Sequence, residues 1–137
     1  MVLTALNSIT VCEDFKSLLE EKLQGVKTKV YLNYPETNLP ENFVAISSNG
    51  GMVDRGDCAE GVLLIDICVK LLKDKNINNV KLTRILEVLD EVIGENGIRY
   101  KNYFFVADNE YNFAFDMDYS LGYSVKSINT FFRVERK

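Results

Sequence analysis

The sequence contains no histidine, and its three cysteines, Cys12, Cys58 and Cys68, are widely spaced. Without an imidazole, no Ser-His or Cys-His pair can activate a nucleophile, and the Cys68 thiol has no base to ionise it. There is also no CxxC pair to begin a zinc site. Reduced thiols in a cytosolic setting are the simplest interpretation. We therefore expect neither an enzyme nor a cofactor.

Long apolar runs and dense blocks of lysine and arginine are also missing. The first nine residues are apolar, but they have no basic start and no cleavage pattern, so we expect neither a signal peptide nor a membrane anchor. The 16 basic and 20 acidic residues give a formal net charge of -4, which predicts no general attraction to nucleic acid. With 137 residues, 47% of them hydrophobic, the chain is expected to form a single domain over 1–137, with its core at about 10–135.

The hydrophobic spacing predicts two helices. The Thr10-x-x-Glu13 pair has the spacing of a capping box, which predicts a helix from Thr10 to about Gln24 with Gly25 as its stop. The second helix is predicted at 79–93, with Asn78 or Asn79 as its cap and Gly94 closing it in the left-handed conformation. Period-two alternation predicts strands at 26–34, 43–46, 62–72, 98–106, 111–119 and 127–135. The glycine-rich stretch 47–61 is predicted to be a loop or a long hairpin tip.

The strand predicted at 62–72 is apolar on both faces, and Val62 and Leu64 lie on the face opposite Leu63. Because two helices can cover only one side of a sheet, the apolar remainder indicates contact with a neighbouring subunit. The charges in the loop before this strand indicate local pairing or contact with a partner. The predicted interface is Asp54, Arg55, Asp57, Val62 and Leu64.

The stretch between Ala107 and Leu121 carries four acidic residues and no basic one: Asp108, Glu110, Asp116 and Asp118. They predict a negative patch, which on a monomer favours solubility and around a ring would repel DNA and let it slide. Asp116 and Asp118 have a spacing that can bind a divalent cation or divide acid and base roles. No third ligand accompanies them, so the solvent face of a strand is the simpler interpretation and no metal is predicted. A small cytosolic metal- or ligand-binding α+β domain is the alternative.

The order of elements resembles that of the bacteriophage tail terminator and tail completion (head-tail joining) proteins over about residues 10–135. The matching features are the Leu39-Pro40-x-x-Phe43-Val44 step into the second strand, the long loop, the strand at 62–72 and the helix at 79–93. The resemblance implies an α+β fold, with an antiparallel-rich β-sheet of about five or six strands and two α-helices packed on one face. It also implies a structural virion protein of the phage neck.

In that family the chain forms a ring, usually a hexamer, that caps the tail tube and joins it to the head connector. The partners implied are other copies of the chain, the tail tube protein and the head connector protein. The resemblance implies no sequence-specific binding to the DNA that passes through the ring, and no membrane. It places the protein in the virion after assembly in the host cytoplasm. Another head-tail connector or closure protein, or a dimeric regulatory module, would be compatible with the same sequence pattern.

Overall fold

The computed structural model describes residues 8–35, 39–48, 50–108, 114–118 and 122–135. The helices are α1 (Ser8–Lys22) and α2 (Asn79–Ile93), and a 3-10 turn, Gln24–Val26, follows α1. The strands are β1 (Lys29–Leu32), β2 (Asn42–Ser48), β3 (Val53–Asp54), β4 (Cys58–Lys70), β5 (Ile98–Tyr100), β6 (Tyr103–Ala107), β7 (Ala114–Asp118) and β8 (Tyr123–Glu135).

All of these strands belong to one sheet with the order β1-β2-β4-β8-β6-β5, in which β3 also pairs with β4 and β7 with β8. The α+β class is therefore confirmed. The sheet has eight strands among the described residues, not five or six. It is also mixed, because β1 and β2 run parallel while the other pairs are antiparallel. A parallel pair requires the connecting chain to return along the sheet.

Both helices pack on the same face of the sheet. α1 lies against β1 and β2, and α2 lies against β4 and β6. Alternate strand residues point towards the helices, so that Ile65 of β4, Phe105 of β6 and Phe132 of β8 join Phe15 of α1 in the buried core. Phe15 and Phe105 have ring centroids 4.4 Å apart. The core lies between the helix layer and this face.

The predicted ends of α1 are wrong at both termini. The helix includes Ser8, the first described residue at this end, so Thr10 lies inside it and is not the residue before it. The predicted stop, Gly25, lies within the 3-10 turn that follows the helix, and the left-handed conformation there is taken by Lys27, with φ of 50°. The apolar spacing predicted where the helix lies. The capping-box pair and the glycine did not predict where it begins and ends.

The predicted bounds of α2 are confirmed. The Asn78 side chain accepts a hydrogen bond from the Lys81 N–H at 3.2 Å, which satisfies one of the free donors of the first turn. The left-handed conformation predicted for Gly94 is wrong, since its φ is -67°. Its N–H continues the helical pattern and donates to the Asp90 carbonyl at 2.9 Å.

The structure contains strand pairing that was not predicted in two stretches, 47–61 and 98–106. Residues 47–61 include the end of β2, all of β3 and the start of β4, with a turn in which the Asp54 carboxylate accepts the Gly56 N–H at 2.8 Å. The strand predicted at 98–106 is two strands, because the chain reverses at Lys101, whose φ is 56°. Of the strand predicted at 111–119, the structure describes residues 114–118 as β7.

Candidate interaction surfaces

The sheet face opposite the helices, called the open face below, has two halves that differ in what covers them. In the first half, the described parts of the β1–β2 connection, residues 33–35 and 39–41, lie over β4 and β8. A small buried cluster forms there, separate from the main core: Phe43, Ala45, Cys68 and Tyr123, with Tyr31, Leu39 and Val125 packed against it. The chain therefore covers this half of its own sheet.

Asp66 of β4 holds this connection in place. Its carboxylate accepts hydrogen bonds from the Tyr34 hydroxyl at 2.7 Å and from the Ser127 hydroxyl at 2.6 Å. The Tyr123 hydroxyl donates to the carbonyl of Pro40 on the other side of the connection. An ionised acceptor makes such hydrogen bonds stronger than neutral pairs. These contacts fix the connection to the sheet at both of its ends.

Phe43 lies at the centre of the covered half and is only 1% exposed. The rings of Tyr31, Tyr34 and Tyr123 meet it edge-on or steeply tilted, with centroids 5.9, 5.8 and 5.8 Å away. Such arrangements match the positive edge of one ring to the negative face of another. The aromatic residues of this region therefore have a packing role.

Two groups of the covered half, the Cys68 thiol and the Tyr34 hydroxyl, have raised pKa values. Burial raises the pKa of the Cys68 thiol to about 11. Burial and the hydrogen bonds with Cys68 and Asp66 also raise the pKa of Tyr34. A thiol with so high a pKa is protonated near neutral pH and is a poor nucleophile. Cys68 is buried, as predicted for a small side chain in a strand.

The second half of the open face carries half-buried apolar side chains, called the apolar strip below. Its centre is a row across three neighbouring strands, in which Phe131 of β8 pairs with Val62 of β4 and with Val106 of β6. Leu64 lies two residues along β4, opposite Asn129, and Phe104 lies two residues along β6, opposite Arg133. Among the described residues, none of these five belongs to either buried cluster or is packed against one. The strip is the apolar remainder that the sequence predicted at Val62 and Leu64.

Asp54, Arg55 and Asp57 are exposed in the β3–β4 turn, beyond the end of the apolar strip. The predicted local charge pairing occurs, but the partner is Glu60 of β4, which lies 3.9 Å from the Arg55 guanidinium. Glu60 also pairs with Arg133 of β8 at 3.5 Å. These partly exposed pairs add little stability. They form a charged border along one end of the strip.

The structure describes only part of the predicted acidic patch. Asp108 follows β6, where its N–H donates to the Asn129 carbonyl at 2.9 Å. The backbones of Asp116 and Asp118 pair β7 with Val125 and Tyr123 of β8. Glu110 and the side chains of Asp116 and Asp118 lie outside the described residues, so the patch stays a prediction.

Two features of the described residues bear on the remaining alternatives. No group of three or more Cys, Asp or Glu side chains there could hold a metal ion. In the same part of the chain, no helix is long and apolar enough to cross a membrane.

Sequence reasoning missed the Tyr34–Asp66–Ser127 contacts and three members of the apolar strip, Phe104, Val106 and Phe131. The hydrogen bonds join residues far apart in the chain, so only the register of the strands reveals them. Alternation along β8 predicts that Phe131 and Phe132 lie on opposite faces of the sheet. It does not predict which strands lie on either side of β8.

No protein-family model and no curated protein matches this sequence. A chain in the solved structure "Virion of native gene transfer agent (GTA) particle" does match in three dimensions. The TM-score is 0.61, with 14% sequence identity, over 94% of this chain and 100% of that chain. At so low an identity the likeness concerns the fold alone. The chain thus shares its fold, over nearly its whole length, with a chain of a gene transfer agent virion.

Proposed function

We propose that this protein is a structural component of a phage-like virion, acting by self-association into a ring and by contact with other virion subunits. The observation that carries the proposal is the apolar strip, whose side chains are half-buried and belong to neither buried cluster, whereas the β1–β2 connection covers the first half of the open face. The likeness to a chain of a gene transfer agent virion, which extends over the full length of that chain, supports the virion class.

The strip has the layout of a protein interface. Its apolar centre, Val62, Phe131 and Val106, spans three strands, and the ion pairs of Glu60 lie at its border. Specific interfaces place apolar side chains at the centre and polar groups at the rim. Full burial of an exposed aliphatic or aromatic side chain contributes roughly 1.5 to 3 kcal/mol. The strip side chains are already half-buried, so covering them would contribute a fraction of that value for each residue.

Within the virion we assign the protein to the neck, as a tail terminator. In this role a ring, six-fold by the family resemblance, caps the tail tube and receives the head connector. Asp54, Arg55 and Asp57 extend beyond the strip and would reach a neighbouring copy or the tube. The acidic residues Asp108, Glu110, Asp116 and Asp118 would face the DNA path and repel the phosphates.

The test compares the sedimentation of the purified wild type with that of a strip variant, Val62→Thr with Leu64→Asn, alone and with tail tubes. The wild type is expected to form a ring-sized species, either alone or on the tubes. The variant keeps side chains of similar size, so its thermal midpoint should change little while its assembly is lost. The matched control is Ile9→Asn, since Ile9 is 65% exposed on α1 and should not affect assembly. Assembly by the strip variant at wild-type strength would contradict the proposal.

A further inference from the structure

The inference that follows rests on the proposed function and specifies how one copy recognises the next. A ring with one copy per step requires two different surfaces on each subunit, one of which fits the other. The apolar strip is a separate contact surface and is not one of this pair. The two surfaces that complement each other in charge and shape lie at the two ends of α2.

The charges of α2 run in the order opposite to the one that stabilises a helix. Lys81 and Arg84 lie in its first half, and Glu87, Asp90 and Glu91 lie in its second half. The N-terminal end of a helix carries partial positive charge and the C-terminal end partial negative charge, so acids are favoured at the start and bases at the end. Helix stability therefore does not explain this order.

The start of α2 belongs to a basic end of the domain. Two adjoining clefts meet at Lys81. The charged residues lining the first, of about 230 Å³, are Lys27, Lys81 and Arg84. Those lining the second, of about 290 Å³, are Glu41, Lys70, Lys73 and Lys81. None of these basic side chains forms an ion pair with a residue that the structure describes.

Two exposed apolar side chains accompany these charges. Leu72, just after β4, is 46% exposed, and Val80, in the first turn of α2, is 71% exposed. Phosphate groups of a nucleic acid would be recognised by the lysines and arginine alone. Exposed aliphatic side chains among the bases favour a protein surface that is apolar at its centre and acidic at its rim.

The second half of α2 borders such a surface. A cleft of about 310 Å³ lies between the helix and strands β6 and β8, and its apolar lining residues are Leu86, Leu89, Ile93, Ala107 and Ile128. Glu87 and Asp90, both exposed, supply the acids on the helix side, and Lys126 of β8 is the basic residue of the lining. Glu91 and Glu95 follow in sequence and are also exposed.

We propose that the basic end of one copy docks onto the acidic cleft of the next copy. Lys81 and Arg84 then face Glu87 and Asp90 of the neighbour, and Leu72 and Val80 cover its apolar floor. The contact joins two different surfaces, so it repeats from subunit to subunit and can close a ring. The complementary charges determine the order in which the copies join.

Charge reversal tests the contact. One variant reverses the basic end (Lys81→Glu with Arg84→Glu), one reverses the cleft (Glu87→Lys with Asp90→Lys), and a third carries all four changes. At low salt, each of the first two should weaken self-association by about tenfold or more, measured by sedimentation velocity, because like charges then face each other. The four-fold variant should recover association, since its charges are exchanged and again complementary.

Two controls keep the result separate from misfolding and from net charge. The basic-end variant and the cleft variant, together called the end variants, both move the charges of α2 towards the order that the helix dipole favours. Their thermal midpoints should therefore equal or exceed that of the wild type. The variant Glu13→Lys with Glu21→Lys changes the net charge as much as the cleft variant does, but it acts on exposed residues of α1. It should associate at wild-type strength.

The outcomes separate this inference from the proposed function. If the wild type associates and the end variants associate equally well, the inference is wrong and the ring proposal stands. Failure of the four-fold variant to recover also overturns it, as does a wild type that stays monomeric at the highest soluble concentration. Co-sedimentation of the wild type with tail tubes tests the virion role independently of this inference. If the basic-end variant loses only the binding of a short DNA duplex, the basic end is a nucleic-acid site and the inference fails.

Discussion

The hydrogen bond between the Tyr34 hydroxyl and the Asp66 carboxylate provides a quantitative test of how the first half of the open face is covered. Replacing Tyr34 by Phe removes the hydroxyl and leaves the ring against Phe43. Hydrogen bonds to charged groups contribute about 1.5 to 3 kcal/mol. Tyr34 is 44% exposed, so water replaces part of the lost contact and we expect a cost of about 1 kcal/mol. This corresponds to a fall in the thermal midpoint of about 4 °C.

The assay is urea unfolding of four chains: the wild type, Tyr34→Phe, Asp66→Ala and the double variant. The loss of the Ser127 contact is common to both chains with Asp66→Ala and cancels in the cycle. The expected coupling free energy is about 0.5 to 1 kcal/mol, with no change in the denaturant slope. The control is Tyr31→Phe, since the Tyr31 hydroxyl forms no hydrogen bond with a described residue. Coupling near zero, or an equal cost for the control, would refute the assigned role of Asp66.

The remaining predictions concern packing and pH. A Cβ on Gly61 would lie 2.7 Å from the Phe132 ring, so Gly61→Ala should destabilise the fold by about 1 to 3 kcal/mol. The control is Gly25→Ala, whose added Cβ lies in open space, so its free energy of unfolding should not change. Equal unfolding midpoints for the two variants would contradict this account. Burial raises the pKa of the Cys12 and Cys68 thiols from 9.0 to about 11. The folded state favours the protonated thiols, so stability should hold below pH 9 and fall between pH 9 and 11, by about 2 to 3 kcal/mol per thiol. A flat denaturation midpoint across that range in reducing buffer would show that the thiols are not buried.

Much of the fold was predictable because apolar periodicity reports directly on burial. The bounds of α2 were predicted to the residue, since its apolar stripe is regular and Asn78 is a strong cap. The start of α1 was wrong because the capping-box spacing also occurs inside a helix. The parallel pairing of β1 and β2 was missed because strand direction depends on the path of residues 33–41, which local patterns do not encode.

The candidate surfaces were predictable only in part, for a related reason. Val62 and Leu64 could be assigned to the open face from the alternation within a single strand. Phe131 and Val106 join them only through the register of β4, β8 and β6, which no single strand specifies. The reversed charge order of α2 is visible in the sequence. Only the structure shows that its acidic half borders an apolar cleft.

The mass of the wild-type chain in solution tests the central claim most directly, which is that this protein acts through surfaces shared with its own copies. Sedimentation equilibrium over a wide concentration range, alone and with tail tubes, provides that mass. The account predicts a closed species of several subunits, formed by the chain itself or on the end of the tube. The mass of a single subunit at every concentration, with no binding to the tubes, would contradict it.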